Sequence, residues 1–377
     1  MVFDYSLVDI LAGLVTADTV GGVWQYSLDL ARGLAGFGYQ VVLAVMGPAP
    51  SAVQRDAALE ITGLRLVETK APLCWLAEDP PALADAAAQI ARLAAATKAD
   101  LVHLNAPALA ALATFPAPVV AVQHSCVASW WEAVEGTPLP QDFAWRTELV
   151  RAGLQAADVV AAPTAAYGAT VHRLYGLQTP PVTVHNGRTP LPGTSAAEHD
   201  FVFTAGRLWD AAKNLGTIDA AAARIAVPVH VAGPLKGPNG AEVMFDNLHC
   251  LGSLDEEALG RWLAAKPVFV SAALYEPFGL AVLEAAQAGC PLILSDIPTF
   301  RELWDGAATF VNPRDEHGYT RAISALVGDD FARRELGQKA MVRAERYTPQ
   351  AMAAQMAALY RRLLPDAARP VLAARAA

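Results

Sequence analysis

Residues 271–291 read SAALYEPFGLAVLEAAQAGCP, and this stretch decides how the second half of the chain folds. It follows the apolar run 268–270 and leads into a second apolar run, 291–294. We expect the helix between them to begin near Pro277, because proline suits a first helical turn, and this leaves Glu276 in the preceding loop. A strand, a helix and another strand of these lengths predict a βαβ unit with parallel strands.

The same alternation of short apolar runs and longer helix patterns extends over nearly the whole chain. Further strands are expected at 41–45, 101–104, 119–122, 159–161, 182–185, 201–205 and 229–232. Helices are expected at 23–34, 81–96, 213–223, 256–264, 279–288, 315–327, 330–345 and 349–364. The alternation is typical of α/β domains with parallel sheets.

One segment without periodicity, residues 185–195, is rich in Gly and Pro and is the expected domain boundary. We therefore predict two Rossmann-like doubly wound α/β domains, residues 1–190 and 198–345, which face each other across a cleft. The helix at 349–364 is expected to pack back on the first domain, and the tail beyond residue 365 to be frayed. Ligands of such sheets bind outside the carboxyl ends of the strands, so function is expected at strand-to-helix turns.

The composition excludes some classes of function. With 377 residues, 54% of them hydrophobic and 17% charged, the chain can bury the cores of two to three domains and does not resemble a disordered protein. The 28 Lys and Arg against 37 Asp and Glu give a net charge of −9, and the cations are scattered. Nucleic-acid binding is therefore not expected, and contact with an anionic membrane is expected to be at most weak and peripheral.

The location of the protein is predicted from its cysteines and its apolar segments. The four cysteines form no CxxC pair, and this favours a reducing cytoplasm over a disulfide framework or a zinc site. The first residues have no basic region that would start a secretory signal. No run approaches the about 18 apolar residues of a spanning helix. We expect a soluble, cytoplasmic protein.

Two features of residues 271–291 point to a ligand. The backbone amides of Phe278, Gly279 and Leu280 are expected at a helix start, where free N–H groups and the helix dipole bind anions such as phosphate. Glu284 lies one turn further on, among mainly apolar helical neighbours. It either accepts hydrogen bonds from ligand hydroxyls, such as those of a ribose, or is an ordinary glutamate on an exposed rim.

Three further motifs follow predicted strands. Arg207 and Lys213, in GRLWDAAKN, supply two cations to one strand-to-helix loop of an acidic protein, as a diphosphate ligand requires. Gly21–Gly22 allow a ligand to approach the backbone closely, although a Gly-Gly pair is also an ordinary tight turn. His124 ends a strand on the expected cleft side, where a lone histidine is either a site residue or a structural one.

The motif EPFGLAVLE, residues 276–284, resembles the E-x-F-G-x-x-x-x-E signature of the retaining GT-B glycosyltransferases of family 4. The resemblance covers the chain from Gly21 to about Leu364. It implies a hexosyltransferase-like enzyme of class EC 2.4 that transfers a sugar from a UDP-, GDP- or ADP-sugar to an acceptor hydroxyl. The acceptor is a glycan, a lipid-linked molecule or a small molecule.

The resemblance also implies roles for individual residues. Glu276 faces the transferred sugar and Glu284 binds the ribose of the nucleotide. Arg207 and Lys213 match a G-R-x(5)-K-N element that holds the pyrophosphate, and Gly21–Gly22 match a loop over the phosphates. His124 matches a histidine that lies against the sugar.

Four residues are candidates for the acceptor side: Trp130, Trp131, His103 and Asn105. The tryptophans suit sugar rings or core packing. His103 and Asn105 end the strand before that of His124, where they either reach the acceptor or have a structural role, and the structural role is the favoured one. Asn186–Gly187 match the N-G element of the family, but the apolar residue and the aspartate that usually follow are here Arg188 and Thr189.

No Asp-x-Asp pair occurs in the chain, so we expect transfer without a metal ion or other cofactor, with cations and helix-start amides stabilising the leaving diphosphate. The GxSxG and GxGxxG motifs are also absent. Two alternatives remain: a sugar-nucleotide epimerase or hydrolase on the same scaffold, and a binding protein without activity. Intact Glu276, Glu284, Arg207 and Lys213 argue against the last.

Overall fold

The computed structural model describes residues 11–193 and 200–364, and it divides them into two compact units. The first unit contains residues 11–129, Leu139–Gly187 and 349–364. The second contains Trp130–Pro138 and the described part of Arg188–Thr348. The chain thus leaves the first unit at Gly187, inside the predicted boundary segment, and the predicted frayed tail lies outside the described residues.

The strands and helices alternate along the chain. The strands are β1 Leu11–Asp18, β2 Tyr39–Met46, β3 Leu64–Glu68, β4 Leu101–Leu104, β5 Val119–Val122, β6 Val159–Ala162, β7 Val182–Thr183, β8 Val202–Ala205, β9 Val229–Ala232, β10 His249–Cys250, β11 Val268–Ser271, β12 Leu292–Ser295 and β13 Thr309–Val311. The helices are α1 Gly22–Ala35, α2 Ala52–Leu59, α3 Pro80–Ala96, α4 Val127–Val134, α5 Ala144–Ala156, α6 Ala165–Tyr175, α7 Leu215–Ala222, α8 Glu256–Ala264, α9 Leu280–Gln287, α10 Pro298–Trp304, α11 Glu316–Val327, α12 Asp330–Ala344 and α13 Pro349–Leu363.

The first unit is built on a parallel sheet in the order β3-β2-β1-β4-β5-β6-β7. Its strands are almost continuously apolar because helices cover both faces. On one face α1 packs against α13, and Gly33 lies in this contact. A Cβ at Gly33 would lie 2.5 Å from the Cβ of Ala353, so glycine allows the two helices to touch. The last helix is therefore part of the first unit.

The second unit is built on a parallel sheet in the order β10-β9-β8-β11-β12-β13. Side chains of α8, α9 and α12 join the core on one face, and those of α7 and α11 join the core on the other. The prediction of two doubly wound α/β domains is thus confirmed. Across the described ranges 11–193 and 200–364, no helix has both the length and the apolar composition needed to cross a bilayer.

The order of strands reverses once in each sheet. In the first sheet β1 lies between β2 and β4, and in the second β8 lies between β9 and β11. Two neighbouring loops leave such a strand pair in opposite directions and open a crevice at the carboxyl ends of the strands. Gly21–Gly22 follow β1, Arg207 follows β8, and Glu276 follows β11. The topology therefore brings predicted site residues to the reversal point of each sheet.

Candidate functional site

The reversal point of the second sheet brings Lys213 and Glu276 into direct contact. Lys213 reaches it from the loop after β8, and Glu276 from the loop after β11. The Nζ atom of Lys213 donates a hydrogen bond to Oε2 of Glu276, although the residues are 63 positions apart. Both side chains keep about a fifth of their surface exposed, so the ion pair remains open to a ligand.

The loop that carries Arg207 and Lys213 is held by Asp210. Its carboxylate accepts hydrogen bonds from Nη2 of Arg207 at 2.8 Å and from the backbone N–H of Ala212 at 3.0 Å. Within the same unit, Nε1 of Trp130 also donates to Asp210, at 3.0 Å. Asp210 therefore fixes the turn and aligns the Arg207 guanidinium, a role that its place in the sequence did not reveal.

Two residues allow the loops at this edge of the sheet to pack closely. Gly233 follows β9 at a φ of +143°, and a Cβ there would lie 1.8 Å from the carbonyl oxygen of Gly206. Asn214, at a φ of +53°, donates from Nδ2 to the carbonyl oxygens of Ala272 and Pro313, at 3.0 and 2.6 Å. Asn214 thus joins the loop after β8 to the loop after β11.

The helix behind Glu276 begins later than predicted. It starts at Leu280, three residues after Pro277 and one after the start of the predicted range 279–288, because Gly279 takes a φ of +91°, a left-handed conformation that a helix cannot contain. The amides without intrahelical partners are those of Gly279, Leu280, Ala281 and Val282. Phe278 precedes this group, and its buried ring packs edge-on against Tyr347. The prediction of a helix-start amide at Phe278 is therefore wrong.

Glu284 is 11% exposed and is paired with an arginine. Its Oε1 accepts a hydrogen bond from Nε of Arg188 at 2.7 Å. The partner, Arg188, is the residue at which the chain departs from the N-G element, and the low exposure of Glu284 contradicts its interpretation as an ordinary glutamate on an exposed rim. Glu284 also borders a cavity of about 280 Å³, lined by residues of α8, α9 and 190–193.

The two glycines of the first unit lie at the start of α1. Gly21 is the N-cap in an extended conformation, and the helix begins at Gly22. The side chain of Asp18 accepts a hydrogen bond from the backbone N–H of Val20 at 3.0 Å, and this holds the turn after β1. Gly21–Gly22 thus occupy the reversal point of the first sheet.

A polar cluster in the first unit, which we call the histidine cluster, is centred on Asn105. Nδ2 of Asn105 faces the carbonyl oxygen of Thr16 at 2.6 Å, and this oxygen can only accept, so Oδ1 must face the other way. There Oδ1 lies 3.0 Å from Nε2 of His103 and 2.8 Å from Nε2 of His124. Both histidines therefore carry a proton on Nε2 and donate it to Asn105.

The second nitrogen of His103 completes the cluster. Because Nε2 carries the proton, Nδ1 is an acceptor in the neutral ring, and the hydroxyl of Tyr360 donates to it at 2.6 Å. Tyr360 comes from α13, at the other end of the chain. The ring of Tyr26 packs edge-on against His124, with a centroid distance of 4.4 Å.

Both histidines are neutral at pH 7. Burial lowers the pKa of His103 to about 4, although the hydrogen bond with Asn105 opposes this shift. Burial and then the neighbouring His103 lower the pKa of His124 to about 3. His124, which keeps some exposed surface, is therefore a neutral hydrogen-bonding group and not a cation.

We expect the protein to lose stability between pH 6.5 and pH 4 because of His103. The unfolded histidine binds a proton below about pH 6.5, whereas the native ring resists protonation down to about pH 4. This difference corresponds to roughly 3 kcal/mol of unfolding free energy, present above pH 6.5 and lost as the pH falls to 4. Urea unfolding of His103→Gln at several pH values measures it.

The variant His317→Asn is the matched control, since it removes an exposed histidine. It should keep the wild-type dependence of stability on pH, whereas His103→Gln should show a shallower one. A wild-type slope in His103→Gln would contradict the lowered pKa of His103.

The acceptor-side candidates differ in their placement. His103 has no exposed surface and both its nitrogens are bonded within the protein, so the prediction that it contacts an acceptor is wrong. Asn105 is bonded to both histidines. The indole of Trp131 donates to Thr137 at 3.1 Å, and neither tryptophan is fully buried. The acceptor role of the tryptophans stays a prediction.

Two family models match the chain. The model described as Glycosyltransferase Family 4 matches residues 20–189, and the model described as Glycosyl transferases group 1 matches residues 199–329. The first covers Gly21–Gly22 and the histidine cluster except Tyr360. The second covers Arg207, Lys213, Glu276 and Glu284.

The curated relatives match only part of the chain. The MMP alpha-(1->4)-mannosyltransferase of Mycolicibacterium hassiacum is 32% identical over 123 residues, which are 32% of this chain and 30% of the relative. Each curated relative matches over less than a third of its own length.

The structural likeness extends over nearly the whole chain. Sucrose-phosphate synthase from Thermosynechococcus elongatus superposes with a TM-score of 0.76 at 20% identity, over 94% of this chain and 99% of that one. Anabaena HepE in complex with UDP and glucose gives a TM-score of 0.72 at 17% identity, over 94% and 100%. The two units thus have the GT-B fold of these proteins.

Proposed function

We propose that the chain, which matches the models described as Glycosyltransferase Family 4 and Glycosyl transferases group 1 over residues 20–189 and 199–329, transfers a sugar from a nucleoside-diphosphate sugar to an acceptor hydroxyl, with retention at the anomeric carbon and without a metal ion. The observation that supports this proposal best is the meeting of Lys213 and Glu276 at the reversal point of the second sheet. Arg207 lies in the same loop as Lys213. Two cations and one carboxylate at one sheet edge suit a diphosphate attached to a sugar.

In the proposed complex the diphosphate lies against Arg207, Lys213 and the free amides at the start of α9. Glu284 accepts hydrogen bonds from the ribose hydroxyls, and Glu276 faces the sugar. That Gly21–Gly22 bind phosphate and His124 binds sugar hydroxyls stays a prediction from the resemblance. UDP and glucose are bound in the Anabaena structure, and this supports the same class of sugar donor for the present chain.

The proposed reaction breaks the bond between the anomeric carbon and the diphosphate oxygen. The acceptor oxygen forms its bond to that carbon on the face that the diphosphate leaves. The acceptor proton passes to an oxygen of the departing diphosphate, so no metal-bound base is needed. Charge that develops on the leaving diphosphate is stabilised by Arg207, Lys213 and the α9 amides, which are already oriented before reaction.

Calorimetric titration with UDP, GDP, ADP and their sugar conjugates tests this proposal. We expect micromolar binding of one nucleotide, and a loss of affinity of at least about tenfold in Arg207→Ala and in Glu284→Ala, because each change removes a charge-assisted hydrogen bond. Circular dichroism establishes that each variant is folded. The matched control is Arg261→Ala, an exposed arginine whose partner Glu257 lies on the same helix.

Product analysis then separates transfer from the alternatives. A nucleoside diphosphate together with an α-configured glycoside, formed from an α-linked sugar donor and identified by NMR, is the expected result. Free sugar or an isomer of the sugar donor would indicate a hydrolase or an epimerase. A folded protein that binds none of the nucleotides would contradict the proposal.

A further inference from the structure

Arg188 is a buried cation with an unusual setting. It is 3% exposed, and its guanidinium joins two helices of the second unit. Nε donates to Oε1 of Glu284 on α9 at 2.7 Å, and Nη2 donates to Oε1 of Glu256 on α8 at 2.8 Å. At this position the resemblance in the sequence leads one to expect an apolar side chain. A buried charge at this position is thus a departure from the pattern that the sequence resembles.

The backbone of Arg188 is fixed as well as its side chain. Its N–H donates to the carbonyl oxygen of Tyr347 at 3.2 Å, and its carbonyl oxygen accepts from Nε2 of Gln287 at 2.7 Å. Gln287 lies on α9 one turn after Glu284. Because both the N–H and the carbonyl group of Arg188 are hydrogen-bonded, its guanidinium has little freedom to move away from the carboxylate of Glu284. The fold therefore sets the geometry of the ion pair between Arg188 and Glu284.

We propose that Arg188 is a positioning residue for the nucleotide ribose, acting through Glu284; this inference rests on the proposed function. A carboxylate with little exposed surface keeps its charge only if a cation or several hydrogen-bond donors compensate it. The guanidinium of Arg188 compensates the charge of the Glu284 carboxylate and fixes the direction of its oxygens. A carboxylate has about four lone-pair directions, so Glu284 can accept from Arg188 and from ribose hydroxyls together.

Arginine suits this position better than lysine. Its planar guanidinium presents separate N–H groups to Glu284 and Glu256 at once, whereas an ammonium group is a single point charge. Glu256 is 56% exposed and Glu284 is 11% exposed. The charge of Glu284, which is largely shielded from water, therefore depends on Arg188 more than the charge of the exposed Glu256 does.

The test compares a nucleoside diphosphate with its 2′,3′-dideoxy form by calorimetry. The base is the one that the wild-type protein binds. Wild type should bind the ribose form about tenfold more tightly, which is the contribution of hydroxyl bonds to a charged acceptor. In Arg188→Met this preference should fall below about twofold, because Glu284 no longer faces the hydroxyls as an oriented anion. Affinity for the dideoxy form should change by less than about twofold.

Two further variants show how much of the preference for the ribose form depends on each member of the ion pairs. Glu256→Gln removes the exposed partner and should keep most of the ribose preference, whereas Arg188→Lys should restore part of it. Where Arg188→Met does not fold, Arg188→Gln replaces it under the same criterion, since its Nε2 is a neutral hydrogen-bond donor attached to Cδ, as the arginine Nε is. A lower affinity for both nucleotide forms alike would indicate a merely structural role.

The outcomes separate the two proposals. If wild type prefers the ribose form and Glu284→Ala abolishes the preference, but Arg188→Met keeps it, the role of Arg188 is overturned and the proposed function stands. If wild type shows no preference, or binds no nucleotide, the assignment of Glu284 to the ribose fails and the role of Arg188 fails with it.

Discussion

Glu276→Gln is expected to lower turnover by about 100- to 1,000-fold while changing the affinity for the nucleoside diphosphate by less than about threefold. The substitution keeps the shape of the side chain and removes its charge. In the proposed reaction Glu276 faces the sugar, where positive charge develops as the diphosphate leaves, so its carboxylate stabilises the transition state more than the ground state. Preorganised charges of this kind contribute effects of about this size.

Release of the nucleoside diphosphate under saturating sugar donor measures this turnover, and calorimetry measures the affinity. Glu335→Gln is the matched control, because Glu335 is an exposed glutamate paired with Lys339 on α12. It should keep wild-type rates. The role of Glu276 would be refuted by a variant with more than half of the wild-type turnover, or by equal losses in turnover and affinity.

Lys213→Met is expected to weaken binding of the nucleoside diphosphate by roughly 100-fold. The substitution removes a charge-assisted hydrogen bond to the diphosphate, which accounts for about a tenfold loss or more. It also leaves the carboxylate of Glu276, its partner, without compensation beside an anionic ligand. Both effects act on the phosphates, so the affinity for the uncharged nucleoside should stay within about twofold of wild type.

The double variant Lys213→Met with Glu276→Gln tests whether the uncompensated carboxylate of Glu276 weakens binding. It should bind the nucleoside diphosphate more tightly than Lys213→Met alone, because the uncompensated carboxylate is gone. Lys339→Met, which removes an exposed lysine on α12, is the control and should bind like wild type. An affinity unchanged in Lys213→Met, or a double variant weaker than the single one, would contradict the proposed contact.

The sequence predicted the part of the fold and site that depends on local patterns. Apolar runs of four or five residues located β4, β5, β9 and most other central strands, since strands buried on both faces are continuously apolar. The strands β3, β10 and β13 were not predicted, and no range was predicted for β1. The start of α9 was placed three residues too early, because the left-handed conformation of Gly279 depends on its surroundings and Pro277 gave a misleading signal.

The sequence by itself determined two α/β sheets and the loops that carry Arg207, Lys213 and Glu276, because residues after parallel strands share one edge whatever the details of packing. Only the tertiary structure decided which charges are paired. Arg188 and Glu284 are 96 positions apart, and Tyr360 and His103 are 257 apart. Such pairs form where segments from distant parts of the chain bury polar groups together, and burial then requires each group to find a partner. No local pattern contains that information.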